Sequence, residues 1–203
     1  MATTSTASTD SGPVYFWRET DPEIGYLSQW YYCPFRDDKD GNKTYKTAEH
    51  YMMHQKALLF KDEAIALEIL KTGHPRKVKS LGRKIENFDE RTWNKHRCGI
   101  VRRGNLLKFT RAVSEEGFQK GTPSGSAAAD GKHQPIEGSL LEMLLATGDR
   151  DLIEASPFDR IWGIGFKAAD AEAARGSWGE NLLGKELMEV RKILREKAEQ
   201  RTE

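Results

Sequence analysis

The stretch from Tyr45 to Lys56, Tyr-Lys-Thr-Ala-Glu-His-Tyr-Met-Met-His-Gln-Lys, constrains this chain more than any other. Thr47 is a good N-cap, because its hydroxyl can accept a backbone N–H of the first turn. Glu49 falls in that turn, where a carboxylate suits the positive end of the helix dipole. A helix starting there sets Glu49, Met53 and Lys56 at i, i+4 and i+7 on one stripe, with His50 and His54 on the neighbouring one. A helix built for packing alone would more often carry Leu or Val on such a stripe. This one carries an acid, an apolar spacer and a base, so Glu49 is the first candidate for chemistry.

The flanking segments read as several helices with a few strand-like stretches. Residues 1–12 are Ser, Thr and Ala with one Asp and form a tail that cannot bury enough surface to order itself. The segment holds no arginine, which speaks against a transit peptide. One domain is expected over 13–200. Tyr15-Phe16-Trp17 opens an aromatic β-type stretch that continues from Gly25-Tyr26-Leu27-Ser28 to Phe35. It reads either as strands covering a core or as a wall on which a base or sugar stacks. Arg36 to Asn42 is a hairpin turn with Asp-Gly at its tip. Helices are expected to about Phe60, over Asp62 to Lys71, over Pro75 to Lys84, after the cap Asp89, over Leu140 to Ala146 and from Lys185 to about Glu199. Leu152 to Ser156 reads as a buried strand, and Glu116 to Ser139, rich in Gly, Ser and Ala, as a flexible surface loop.

Charge separates the function classes. The 203 residues carry a formal net charge of +1, which rules out a uniformly basic nucleic-acid coat. Between Lys71 and Arg111, however, 13 Lys or Arg face 3 acids, so the charge is segregated and favours a phosphate-bearing partner, with Arg83, Arg97 and Lys108 as candidates. The 2 cysteines make no disulfide framework and no Cys-x-x-Cys, so a reducing compartment is the default. No apolar run approaches a membrane span and no signal-peptide core follows the start, so the expected location is intracellular, the cytoplasm with the nucleus as an alternative. His50 and His54 could chelate, but Glu-His-x-x-x-His reverses the order that puts a base beside zinc, and no third ligand is evident. Loop signatures for a triphosphate or a dinucleotide are absent, and no metal or other cofactor is expected.

What remains is two carboxylates, Glu49 and Asp159, with Trp93, Trp162 and Trp178 and a basic segment. Asp159 lies in Pro157-Phe158-Asp159-Arg160-Ile161-Trp162-Gly163-Ile164-Gly165, which reads equally as a site loop or as a structural turn with Asp159 as its cap. Paired acids with stacking aromatics suit cleavage of a glycosidic bond through an oxocarbenium-like transition state.

These residues resemble the NADAR (YbiA-like) family. The resemblance is carried by Gly25-Tyr26-Leu27-Ser28, Thr47-Ala48-Glu49-His50-Tyr51 with Gln55-Lys56-Ala57, Leu81-Gly82-Arg83, and Trp93 with Arg97. It continues through Lys108-Phe109, Leu145-Ala146-Thr147-Gly148, Glu154-Ala155-Ser156, Asp159 with Trp162-Gly163-Ile164-Gly165, and Trp178 with Asn181-Leu182-Leu183-Gly184-Lys185. It spans about Tyr15 to Arg195 in the family's order. The chain departs from the pattern at Gln29-Trp30, where the family usually reads Asn-Phe, and in the longer loop at Glu116 to Ser139. The resemblance implies a single, mostly helical α+β domain with a small β component, and a metal-independent N-glycosidase that hydrolyses the bond between ribose C1 and a nitrogen outside a base ring. One branch of the family acts on phosphoribosylamino-pyrimidine intermediates of riboflavin synthesis, and another removes ADP-ribose from guanine, including guanine in nucleic acid. Carried over by position, Glu49 and Asp159 become the acid/base pair and Trp93 the ring packing on base or sugar. Lys56, Arg83 and Asn181 would lie near phosphates or ribose hydroxyls, and Tyr26, Ser28, Trp162 and Trp178 complete the expected binding set. The expected partner is a ribosylated base or ADP-ribosylated nucleic acid, with ADP-ribosyl-guanine ahead of the pyrimidine intermediate. The rival from another class is a non-catalytic module that binds ADP-ribose or a nucleotide.

Overall fold

Capping side chains set where the helices of this chain begin. The structure, a computed structural model, describes residues 12–41, 43–113 and 139–200; the expected tail over residues 1–12 lies outside them except for Gly12, and the expected loop at Glu116 to Ser139 lies outside them except for Ser139. Thr47 accepts the His50 N–H and opens α1 (Ala48–Leu59). Asp62 accepts from Ile65 and opens α2 (Glu63–Lys71), and Asp89 accepts from Thr92 and opens α4 (Glu90–Thr110). Between them, α3 (Pro75–Gly82) starts on a proline, whose missing N–H costs nothing at a first turn. A reciprocal capping box between Ser139 and Glu142 starts α5 (Leu140–Ala146). A short α6 (Ala168–Ala171) and the long α7 (Leu182–Glu199) complete the helices among the described residues. None of the helices among the described residues is long and apolar enough to cross a membrane.

Among the described residues the β component consists of two two-stranded sheets. Strand β1 (Val14–Phe16) pairs in parallel with β4 (Leu152–Glu154), Phe16 opposite Glu154. Strand β2 (Phe35–Asp37) pairs antiparallel with β3 (Lys43–Tyr45), as the Asp-Gly turn predicts. The aromatic stretch between β1 and β2 is not strand. Gly25–Leu27 is a single 3-10 turn, and the chain then runs as loop to Phe35. High β propensity is overridden because its aromatics are buried one at a time against helices: Tyr26 edge-on to Phe109, Tyr31 beneath Lys108.

Helix α1 is the hub, packing against α2, α3 and α4, while α4 packs on α7 and α7 on β4. Leu27, Ile69, Val78, Val101, Phe109, Leu144, Leu152, Leu187 and Val190 form the main core. The last helix begins three residues earlier than the apolar pattern alone indicates. Its first N–H groups, from Leu182 and Leu183, donate to the carbonyls of Ile161 and Trp162, so the preceding loop acts as its cap. Gly184 is required there, because a Cβ would sit 1.9 Å from the Leu152 carbonyl oxygen.

A buried lysine fixes the loop that leads to α1. Lys108 is 0% exposed, and its Nζ donates to the carbonyls of Tyr26, at 2.5 Å, and Ser28, at 2.9 Å. Burial pulls its ammonium down to about 7. Replacement Lys108→Ala leaves a cavity and two carbonyls unpaired, and is expected to lower unfolding free energy by about 3 kcal/mol. A urea melt checks this; an unchanged midpoint would mean the lysine does not hold the loop.

Candidate active site

Helix α1 turns Glu49, Met52, Met53 and Lys56 into a cleft of about 570 Å³. The side chains of His50 and His54 point the other way. His50 Nδ1 accepts the Lys46 N–H and its Nε2 pairs with the Ile69 carbonyl, while His54 Nδ1 pairs with the Tyr45 hydroxyl. Both imidazoles are depressed by burial, His50 to about 4, and no cluster of ligands able to hold a metal occurs among the described residues. The opposite wall comes from β4 and the loop after it, which contribute Glu154, Ser156, Phe158, Asp159 and Trp162. Helix α3 and its end supply Arg76, Lys79 and Arg83, and Trp93 of α4 closes one side.

Of the four acids that line the cleft, Glu19, Glu49, Glu154 and Asp159, the last three act on one another's charge. Glu49 is 4% exposed, and its backbone N–H is anchored on the Gln29 carbonyl at 2.9 Å. Burial raises its carboxyl to about 7, against the pull of the Lys79 ammonium and with a further push from the charge of Asp159. Glu154 was not expected from the sequence. Although the residue as a whole is half-buried, its Oε2 is sealed from solvent and has no hydrogen-bond partner among the described residues. Burial, with Asp159 and Glu49 nearby, lifts this carboxyl to about 8. The signal in the sequence was an acid in place of an apolar residue in the run Leu152-Ile153-Glu154-Ala155.

The backbone around Glu154 is tightly specified. Its N–H donates to Asn181 Oδ1 at 2.9 Å, and its carbonyl accepts the Ile164 N–H at 2.9 Å. Gly163 lies against it so closely that a Cβ would come within 2.6 Å of the Glu154 carbonyl oxygen. Asp159 combines the two roles left open by the sequence. Its Oδ1 accepts the N–H groups of Ile161 and Trp162, at 2.9 and 2.8 Å, so it caps the turn while it lines the cleft.

Of the residues expected from the sequence, Ser28, Glu49, Lys56, Arg83, Trp93, Asp159 and Trp162 line the cleft together. Lys56 donates to the Gly82 carbonyl at 3.0 Å and stands 5.4 Å from the Trp93 ring, its ammonium depressed by burial with Glu49 opposing. Tyr26, Trp178 and Asn181 lie outside the cleft, their polar groups engaged in the scaffold. The Tyr26 hydroxyl donates to the Met143 carbonyl, and Trp178 Nε1 donates to the Ala171 carbonyl. Asn181 bridges Glu154 and Leu152 and so supports the site from behind. The basic segment also divides. Arg97 pairs with Glu180, Arg102 with Glu186, Arg103 with Asp37, and Lys108 is interior, leaving Arg76, Lys79 and Arg83 as that segment's cations on the cleft wall. Gln29 was known only as a departure from the family pattern. It lines the cleft, and its Nε2 is buried without a partner among the described residues.

The model of the NADAR domain matches residues 15–195. N-glycosidase R617 of Acanthamoeba polyphaga mimivirus is 37% identical over 172 residues, covering 83% of this chain and 86% of that protein. Riboflavin biosynthesis protein VVA0006 of Vibrio vulnificus is 28% identical over 186 residues, 92% of this chain but only 40% of that longer protein. The NMR structure of the Escherichia coli protein YbiA superimposes with a TM-score of 0.64 at 26% identity, covering 92% of this chain and 87% of that one.

The acids leave a signature in stability. A carboxyl raised in the folded state keeps a proton that the unfolded chain has released, so its contribution is full below the unfolded value and is lost as pH rises through the folded one. For Glu49 that window runs from about 4.5 to about 7, and for Glu154 from about 4.5 to about 8. Glu49→Gln and Glu154→Gln remove the titration and are expected to gain about 3 and about 4 kcal/mol, respectively, over the parent near pH 8, and much less near pH 4. Thermal melts across that range check it; a gain independent of pH contradicts it.

Proposed function

The chain belongs to the NADAR domain family, and from that premise and the geometry of the cleft we propose a ribosyl N-glycosidase whose preferred substrate is ADP-ribosyl-guanine, free or in nucleic acid. The observation that carries the chemistry is the convergence of Glu49, Glu154 and Asp159 beside Trp93 and Trp162 in one cleft. Hydrolysis needs the C1–N bond to break with its electron pair leaving on the exocyclic nitrogen, a proton for that nitrogen, and a water oxygen for C1. A carboxyl at about 7 suits proton transfer near neutrality, so Glu49 protonates the departing nitrogen. Asp159, its Oδ1 held by two N–H groups, directs its second oxygen at the oxocarbenium-like carbon and the attacking water, and receives the proton that water loses. Glu154, pushed up by burial and by the charges of Asp159 and Glu49, stays protonated near neutrality and adds no further negative charge beside them. Trp93 packs on base or sugar.

One observation supports the longer substrate: Arg18, Arg76, Lys79 and Arg83 give the cleft wall more cationic groups than one monoester needs, and suit a diphosphate. The buried Gln29 Nε2 is an unmatched donor that a ribose hydroxyl of either substrate satisfies. The alternative substrate, a phosphoribosylamino-pyrimidine, is supported by the likeness to the Vibrio riboflavin biosynthesis protein and uses the same acids. The protein is incubated with an ADP-ribosylated guanine oligonucleotide and, separately, with the phosphoribosylamino-pyrimidine, and released ADP-ribose or ribose 5-phosphate is weighed by mass spectrometry. ADP-ribose from the first, faster than product from the second, is expected; the reverse order moves the assignment to the riboflavin intermediate. Glu49→Gln is expected to cut turnover about 100- to 10,000-fold while binding survives. Undiminished turnover in that variant removes Glu49 from the mechanism, and binding without turnover in the parent leaves only a nucleotide-binding module.

A further inference from the structure

Phe158 is the most exposed large hydrophobic side chain among the described residues, at 87%, and it stands on the cleft wall immediately before Asp159. Scattered exposed apolar side chains are ordinary; this one is distinguished by its setting. The loop that carries it is fixed on both sides: Pro157 restricts the backbone before it, and the two N–H groups received by Asp159 pin the turn after it. Its neighbour is the indole of Trp17, with ring centroids 6.0 Å apart and planes tilted by 55°. The Arg18 guanidinium lies 4.3 Å from the centre of that indole. All three residues line the same cleft as the acids. A fixed, solvent-facing ring beside a second ring and a cation matches how proteins hold a base by its face and its neighbouring phosphate by charge, and it needs no particular base edge.

We infer that Phe158, backed by Trp17 and Arg18, is a stacking subsite for a second nucleobase, one beyond the base whose bond is cleaved. The inference rests on the glycosidase reading only for what occupies the inner cleft, and it deepens that reading by requiring a substrate with two base rings. A phosphoribosylamino-pyrimidine has one. The second ring is either the adenine of ADP-ribose or a neighbouring base of a nucleic-acid strand; both present the same π-face beside a phosphate.

Calorimetry with non-reacting probes tests the subsite apart from turnover. Parent, Phe158→Ala and Phe158→Trp proteins are titrated with ADP-ribose, with ribose 5-phosphate and with an unmodified single-stranded oligonucleotide. Base–aromatic stacking lost to alanine is worth about 1–3 kcal/mol, so Phe158→Ala is expected to weaken one base-bearing probe about tenfold or more. Affinity for ribose 5-phosphate should hold in both variants, and Phe158→Trp should bind every probe like the parent. A loss confined to ADP-ribose identifies the ring as adenine, and a loss confined to the oligonucleotide identifies it as a flanking base; either supports the subsite. Unchanged affinity for both base-bearing probes, or an equal loss for ribose 5-phosphate, overturns it. A parent that binds ADP-ribose through Phe158 but releases none from ADP-ribosyl-guanine would refute the ADP-ribosyl-guanine assignment and leave the subsite standing.

Discussion

Acidic side chains withdrawn from water into one small volume cannot all be charged, because desolvation and mutual repulsion both act against ionisation. That constraint governs the cleft. Glu49 enters it from the first turn of α1 and Glu154 from the end of β4, and each is pushed well above the ordinary carboxyl range. The arrangement lowers stability above the acidic range and leaves a transferable proton near neutrality. A fold selected for stability alone would place apolar or amide side chains there, so the cost is what marks the cleft as the working part of the molecule.

Much of the remaining structure serves to keep those acids in place. Asn181, in a left-handed conformation at φ 50°, ties its N–H to Gly163 and its side chain to both Glu154 and Leu152. The start of α7 straps the loop bearing Asp159 and Trp162 through backbone hydrogen bonds. On the other side, Lys108 gathers the carbonyls of the 26–28 turn, and the Gln29 carbonyl after it anchors the N–H of Glu49. Residues far apart in sequence thus act on a single cleft without touching it.

Local chemistry made part of this legible. The caps Thr47, Asp62 and Asp89 announce α1, α2 and α4, and the Asp-Gly pair announces the β2–β3 hairpin, because each of these signals acts within a few residues. The stripe Glu49, Met53 and Lys56 does face the cleft, since helical periodicity needs no tertiary information. The aromatic run from Gly25 to Phe35 misled because propensity records how a side chain packs on a pleated surface, and here the partners are helices. Charge misled in the same way. Sequence cannot distinguish a lysine that meets phosphate from one that meets backbone carbonyls in the interior, and Lys108 is the second kind. The strand carrying Glu154 was legible, but its place in the cleft was not, because that depends on the long-range pairing of β4 with β1.

The chemistry of the cleft depends on Glu49 and Glu154 keeping their protons to near neutrality inside the folded protein. Infrared difference titration of the carboxyl C=O stretch, followed from about pH 4 to about pH 9 in the parent and in each single Glu→Gln variant, observes those protons directly. The account predicts protonated-carboxyl bands that persist past pH 6 and disappear near about 7 and about 8, one of them missing from each variant. Loss of all protonated-carboxyl intensity below about pH 5, with parent and variants alike, would contradict it.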